Sequence, residues 1–139
     1  MRQAATILTV ETKGQGFHAL TAGVDSFLRA QAMRTGLLTL FCRHTSASLL
    51  IQENADSSVL ADLERFLARL APEGRGLYEH DSEGADDMPA HLRAALTQTQ
   101  LSIPIVDGRL ALGVWQGIFL IEHRRRPLKR EIALHLLGA

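Results

Sequence analysis

Leu101 to Gly113 reads L-S-I-P-I-V-D-G-R-L-A-L-G, two apolar segments turned about Val106-Asp107-Gly108-Arg109. Asp-Gly suits the positive φ angles of a type I′ turn, so the stretch predicts a β-hairpin. Trp115 to Glu122 follows as another strand. Ile132 to Leu137 has a length that fits either element and is read as a strand, because it follows strands and would complete a sheet. Leu37 to Cys42, a short apolar run between Gly36 and Arg43-His44, is read as a buried strand. Residues Ala5 to Thr12 alternate as a strand up to the Gly14-Gln15-Gly16 turn, and Phe17 to Leu20 reads as a short return strand.

Helical spacing punctuates these strands. Val24, Phe27, Leu28 and Met33 predict a helix with Thr21 as its N-cap and Gly36 as its stop. After a tight turn at Thr45-Ser46 and a further strand, Asn54 and Asp56 offer caps to a helix on which Val59, Leu60, Leu63, Phe66, Leu67 and Leu70 form one apolar face. A short third helix is expected from about Pro89 to Thr97, with Leu92 and Leu96 facing inward. The strands lack steady βαβ alternation, so the fold class is α+β, a single domain over 1–139.

The chain has 139 residues, 46% of them hydrophobic, which suffices for a globular core. Fifteen basic and fifteen acidic residues cancel, so bulk charge gives no hold on nucleic acid. No apolar run approaches a membrane span, the N-terminus lacks the order of a signal peptide, and one cysteine excludes an internal disulfide framework. A cytoplasmic protein with no nucleic-acid or membrane partner is expected. Cys42, inside an apolar run, is read as packing.

Polar chemistry gathers in Tyr78 to Arg93, Y-E-H-D-S-E-G-A-D-D-M-P-A-H-L-R, where His80 and His91 stand among five carboxylates. Gly84 permits a sharp turn and Pro89 suits the first turn of a helix, so this is a loop delivering acids and histidines to a helix mouth. The plainer reading makes Asp86 or Asp87 a helix cap and the other acids solvated. His44 and His123 each sit at a strand end. Glu53, Asn54 and Asp56 lie at a helix N-terminus, where backbone N–H groups bind anions. Trp115-Gln116-Gly117 interrupts an apolar strand. Histidines at element ends with nearby carboxylates suit a zinc-type centre, although no HExxH or CxxC spacing is present, so a site must be assembled by the fold or between subunits. His18 and His135 are read as surface or satisfied histidines.

Several of these stretches, in order, resemble the YjbQ family, also called the secondary thiamine-phosphate synthase family. They are His44-Thr45-Ser46-Ala47-Ser48-Leu49, Glu53-Asn54 with Asp56, Tyr78-Glu79-His80-Asp81, Glu83 to His91, Gly113 with Trp115-Gln116-Gly117-Ile118, and Glu122-His123-Arg124. The resemblance covers essentially the whole chain. It implies an α+β domain containing a β-sandwich with about three helices, a homotrimer, a polar pocket built from these residues, and a weak thiamine-phosphate synthase activity. Two positions depart from the family pattern: Gln15 stands where a basic residue is frequent, and Val114 where threonine is common.

On this footing the expected function is an enzyme, a synthase-like transferase joining hydroxymethylpyrimidine diphosphate to thiazole phosphate and releasing pyrophosphate. His44, His91 and His123 are the expected ligands of a divalent metal, zinc by the imidazole-rich shell. Asp86, Asp87, Glu53 and His80 are the expected acid–base and orienting groups, His80 also being an alternate ligand. Ser46, Asn54, Asp56, Trp115, Gln116 and Arg124 are expected to hold the phosphorylated small molecule. The alternative is a non-catalytic trimer that binds a metal or phosphorylated ligand. A plainer third reading makes the acids and histidines part of a trimer interface.

Overall fold

The computed structural model describes residues 1–139. Eleven elements follow one another: β1 (Arg2–Glu11), β2 (Gly16–Ala19), α1 (Thr21–Gln31), β3 (Gly36–Cys42), β4 (Ala47–Glu53), α2 (Ser57–Leu70), α3 (Asp87–Leu96), β5 (Gln100–Val106), β6 (Arg109–Leu110), β7 (Gln116–Glu122) and β8 (Lys129–Gly138). They build a five-stranded sheet in the order β1-β8-β3-β5-β6 and a three-stranded sheet in the order β2-β7-β4. Every pairing is antiparallel, as an α+β chain without βαβ crossovers requires.

The sheets share one apolar core. Leu38 and Leu40 of β3, Ile103 and Ile105 of β5, and Ile132, Leu134 and Leu136 of β8 meet Leu49 of β4 and Ile118 and Leu120 of β7 in a single buried cluster, and α1 adds Val24 and Leu28. On β3, β5 and β8 these residues alternate with exposed or half-buried ones, so the period of two places one face inward. The Asp107-Gly108 turn has the expected handedness, with φ of 51° and 76°. The final segment is a strand, paired with both β1 and β3.

Three local expectations are corrected. Thr21 is inside α1 rather than its cap, because its hydroxyl accepts the Ile118 backbone N–H at 2.9 Å and fastens the helix to β7. Gly36 does not stop α1, which ends with Ala32 in the left-handed conformation; Gly36 opens β3. Phe66, Leu70 and Leu96 are exposed rather than buried, so the apolar faces of α2 and α3 are covered only in part. Asp56 caps α2 as expected, its carboxylate accepting the Ser58 N–H at 2.9 Å. No helix is long and apolar enough to cross a membrane.

Candidate functional site

The loop before α3 is shaped by Arg124, just past the end of β7. Its guanidinium donates from Nε to Asp86 Oδ2 (3.1 Å), from Nη1 to Asp87 Oδ1 (2.7 Å) and from Nη2 to the Glu83 carbonyl (2.9 Å). The Arg125 backbone N–H adds a bond to Asp86 Oδ2 at 2.9 Å. Gly84, at φ 108°, lets the chain fold this tightly: a Cβ there would lie 3.1 Å from Asp86 Oδ1. Asp86 therefore stands at the start of α3 without capping it by its side chain, since Arg124 and Arg125 have claimed that carboxylate.

Asp87 opens α3 and is buried, with one carboxylate oxygen committed to Arg124. The other, Oδ2, receives two imidazoles. His80 Nε2 lies 2.6 Å from it and His91 Nε2 lies 3.2 Å from it, with Glu83 Oε2 also 3.0 Å from His80 Nε2. Asp87 and His91 are four residues apart on α3, the spacing that stacks two side chains on one helix face. His91 Nδ1 lies 2.9 Å from the Thr45 carbonyl. A carbonyl only accepts, so Nδ1 carries the hydrogen, and the lone pair of a neutral ring at Nε2 faces the Asp87 oxygen. Two acceptors so placed require a second proton on the ring or a cation between them.

The electrostatics agree with this crowding. Burial works to raise the Asp87 carboxyl, but the His80 hydrogen bond, His91 and Arg124 outweigh it and hold it below its ordinary range. At Asp86, burial is likewise outweighed, by the Arg124 and Arg125 bonds. The hydrogen bond to Asp87 raises His80 above its ordinary value, with desolvation opposing and Glu83 assisting.

His80, Asp87 and His91 fit a metal ion. Each offers a ligand atom, and the three atoms lie within 4.8 Å of one another. The His91 bond to a backbone carbonyl is the outer-shell contact that orients a metal-bound imidazole. Three protein ligands leave a coordination position open, as in catalytic rather than structural zinc sites. An open cavity of about 800 Å3 lies beside the group and includes His91 in its wall, with Arg43, His44, Thr45, Ser46, Thr99 and Arg130 among its other lining residues.

Of the three histidines expected as ligands, only His91 is in this group. His44 is turned to the backbone, its Nε2 accepting the Glu131 N–H at 2.7 Å. His123 is fully buried, its Nε2 lying 2.8 Å from the Ser48 hydroxyl, and burial with Arg93 and Arg130 nearby lowers its pKa to about 3. Arg124, expected to hold substrate, instead braces the acidic loop. Ser46 lines the cavity and accepts Arg130 Nη2 at both its carbonyl (3.1 Å) and its hydroxyl (2.9 Å).

The remaining expected residues lie elsewhere. Strand register sets Ala47 opposite Glu122 and Glu53 opposite Gln116, so Glu53 and Gln116 are a strand's length, about 20 Å, from the end near Ser46. Their polar groups serve the local chain. Glu53 Oε2 accepts the Ala55 N–H (2.9 Å), Asp56 caps α2, and Gln116 Oε1 accepts the Gly113 N–H (2.8 Å). Asn54 Nδ2 donates to the Val114 and Gln116 carbonyls at 3.2 and 3.3 Å, holding the loop that presents exposed Trp115. Within one chain these residues do not join the His80–Asp87–His91 group. Sequence reasoning missed Arg130 and Thr45, and the four-residue spacing of Asp87 and His91 was the signal that could have put those two side chains together.

The sequence matches the family described as UPF0047 protein YjbQ-like over residues 6–139. The chain belongs to the YjbQ family. It is 53% identical to a UPF0047 protein of Synechocystis sp., covering 99% of this chain and 93% of that one. It is 45% identical to the UPF0047 protein YjbQ of Escherichia coli O157:H7, covering 94% and 95%. Among solved structures, a conserved hypothetical protein from Thermus thermophilus superposes with a TM-score of 0.84 at 40% identity, covering 95% and 99%. A protein of unknown function from Sulfolobus solfataricus shares the YjbQ-like fold at a TM-score of 0.87 and 20% identity, covering 99% and 100%.

Proposed function

We propose that this chain is a metal-dependent transferase acting on a phosphorylated small molecule, and that its reaction is of the thiamine-phosphate synthase type. The single observation that carries this reading is the meeting of two imidazole Nε2 atoms on one oxygen of Asp87, with His91 pinned through Nδ1 to Thr45 so that its lone pair faces inward. In that reaction the bond between the pyrimidine methylene carbon and the diphosphate oxygen breaks, and its electron pair leaves with pyrophosphate. The thiazole nitrogen lone pair forms the new C–N bond, and nothing is oxidised or reduced. His80, Asp87 and His91 would hold the metal, zinc by preference for this donor set, and when bound it supplies positive charge that offsets the charge developing on pyrophosphate. Arg124 keeps Asp87 oriented by occupying its other oxygen. The adjoining cavity has the volume usual for a small-molecule site.

We also propose the homotrimer. Its support is exposed apolar surface: Ile7 and Phe41 flank the half-buried Ala133 in one cross-strand row, and Leu37 is opposite Leu137 on the outward face of the same sheet. A second reading, a trimer that binds the ligand without turnover, is favoured by one fact. Asp86 and Glu53, two of the three carboxylates expected to move protons, are both occupied by hydrogen bonds, Asp86 to Arg124 and Arg125 and Glu53 to the Ala55 N–H.

The test is to strip the protein with a chelator, restore zinc, and follow thiamine phosphate and pyrophosphate formation. Activity that returns with zinc and falls at least tenfold in His80→Ala is the expected result. Activity indifferent to the chelator would refute the metal's part, and diphosphate binding without turnover would establish the second reading.

A further inference from the structure

The cavity has another wall, made by residues outside the candidate metal group. Arg130, one of its lining residues and nearly buried, is fixed by the fully buried Glu122, which accepts from Nε at 2.6 Å and from Nη2 as well. Nη2 is further taken by Ser46, leaving Nη1 with no partner in the chain. His44 lines the same cavity. Its Nε2 accepts a backbone N–H, and a backbone amide can only donate, so Nε2 bears no hydrogen and the proton of the neutral ring is on Nδ1. Burial lowers the His44 pKa, and Arg130 beside it acts in the same direction. Nδ1 also has no partner in the chain, and neither it nor Arg130 Nη1 is among the side-chain polar atoms sealed from solvent without one. Two fixed donors therefore border one cavity with their hydrogens unspent.

We infer that His44 Nδ1–H and Arg130 Nη1–H form a metal-independent binding site for the oxygens of a phosphate or diphosphate group. The inference rests on the proposed phosphorylated substrate and adds the residues that recognise it. Glu122 compensates the Arg130 charge within the core, so the site works through aimed hydrogen bonds rather than free positive charge. His44 is a positional donor as well: its other nitrogen is occupied by Glu131, so it cannot turn to accept without losing that bond. Donors held in this way cost little reorganisation when an oxyanion arrives. Arg43 at the same cavity pairs with Glu131 at 3.3 Å, so it brings no uncompensated charge.

Inorganic pyrophosphate, titrated calorimetrically into chelator-stripped protein, tests the site without the metal. Binding by wild type that weakens about tenfold in His44→Ala, while His44→Asn retains most of it through an amide N–H near the Nδ1 position, is the expected result. Zinc binding, measured separately, should be the same in all three proteins. Long-range 1H–15N spectra of the wild-type rings, which need no variant, should show His44 protonated on Nδ1. Equal pyrophosphate affinity in wild type and His44→Ala, no pyrophosphate binding by the stripped wild type, or a proton on Nε2 would each overturn the inference. Loss of zinc binding throughout, with pyrophosphate binding intact, would instead strike the metal reading and leave this one standing.

Discussion

Two polar clusters lie near the same end of the smaller sheet, and they are built to opposite rules. Around Glu122 the carboxylate itself is closed off: Arg130 gives it two nitrogens, the Thr12 hydroxyl donates to Oε2 at 3.0 Å, and Arg124 N–H donates to Oε1 at 3.1 Å. Around Asp87 one oxygen is equally well served by Arg124, but the other faces two imidazole nitrogens, one of which has its hydrogen on the far side of the ring. A satisfied network fixes a core, whereas a convergence of acceptors marks a place for something positive. Crowding of charged residues alone would not separate the two.

The largest effect that could break this contrast is expected at Glu122. Glu122→Ala leaves a buried guanidinium without its counter-charge and should cost about 3–5 kcal/mol in urea unfolding. A loss below about 1 kcal/mol would mean that the closed cluster does not hold the core together.

His123 gives a smaller effect with a definite sign. Burial, with Arg93 and Arg130 adding to it, takes its pKa from 6.5 to about 3, so the folded chain keeps the ring neutral while the unfolded chain takes up a proton below pH 6.5. The unfolded state then binds more protons, and stability falls as pH is lowered from 6.5 towards 3. Asp86 and Asp87 have depressed values, so their contribution is lost only below the ordinary carboxylate value of 3.8. The raised His80 acts on the other side, losing its contribution as pH climbs through its folded value above 6.5. His123→Gln should flatten the slope between pH 6.5 and 3.8 whatever it does to stability at neutral pH. An unchanged slope would show that the ring takes up its proton in the folded state.

What was legible in the sequence follows the range of the interactions. Asp107-Gly108 and Asp56 could be read because their work is done with neighbours: a two-residue turn and a bond to the Ser58 N–H. Thr21 has the residue type of a cap, but its hydroxyl was claimed by Ile118, across most of the chain. The same holds for the histidines. His44 and His123 each stand just past a strand end, and only strand pairing decides that Glu131 occupies the first and Ser48 the second. The polar loop was recognisable as the centre of the site because its acids and histidines are contiguous, and Asp87 with His91 needed only helical spacing. Glu53, Asn54, Asp56, Trp115 and Gln116 could not be separated from it without the register of β4 against β7.

The most direct test of the open cluster is zinc binding by chelator-stripped wild type and by Asp87→Asn, with circular dichroism to show that both are folded. One zinc per wild-type chain is predicted, with an affinity at least tenfold weaker in the variant, because the oxygen that gathers His80 and His91 has lost its charge. Wild-type protein that binds no zinc, or two proteins that bind it alike, would contradict the assignment of His80, Asp87 and His91 as a metal centre.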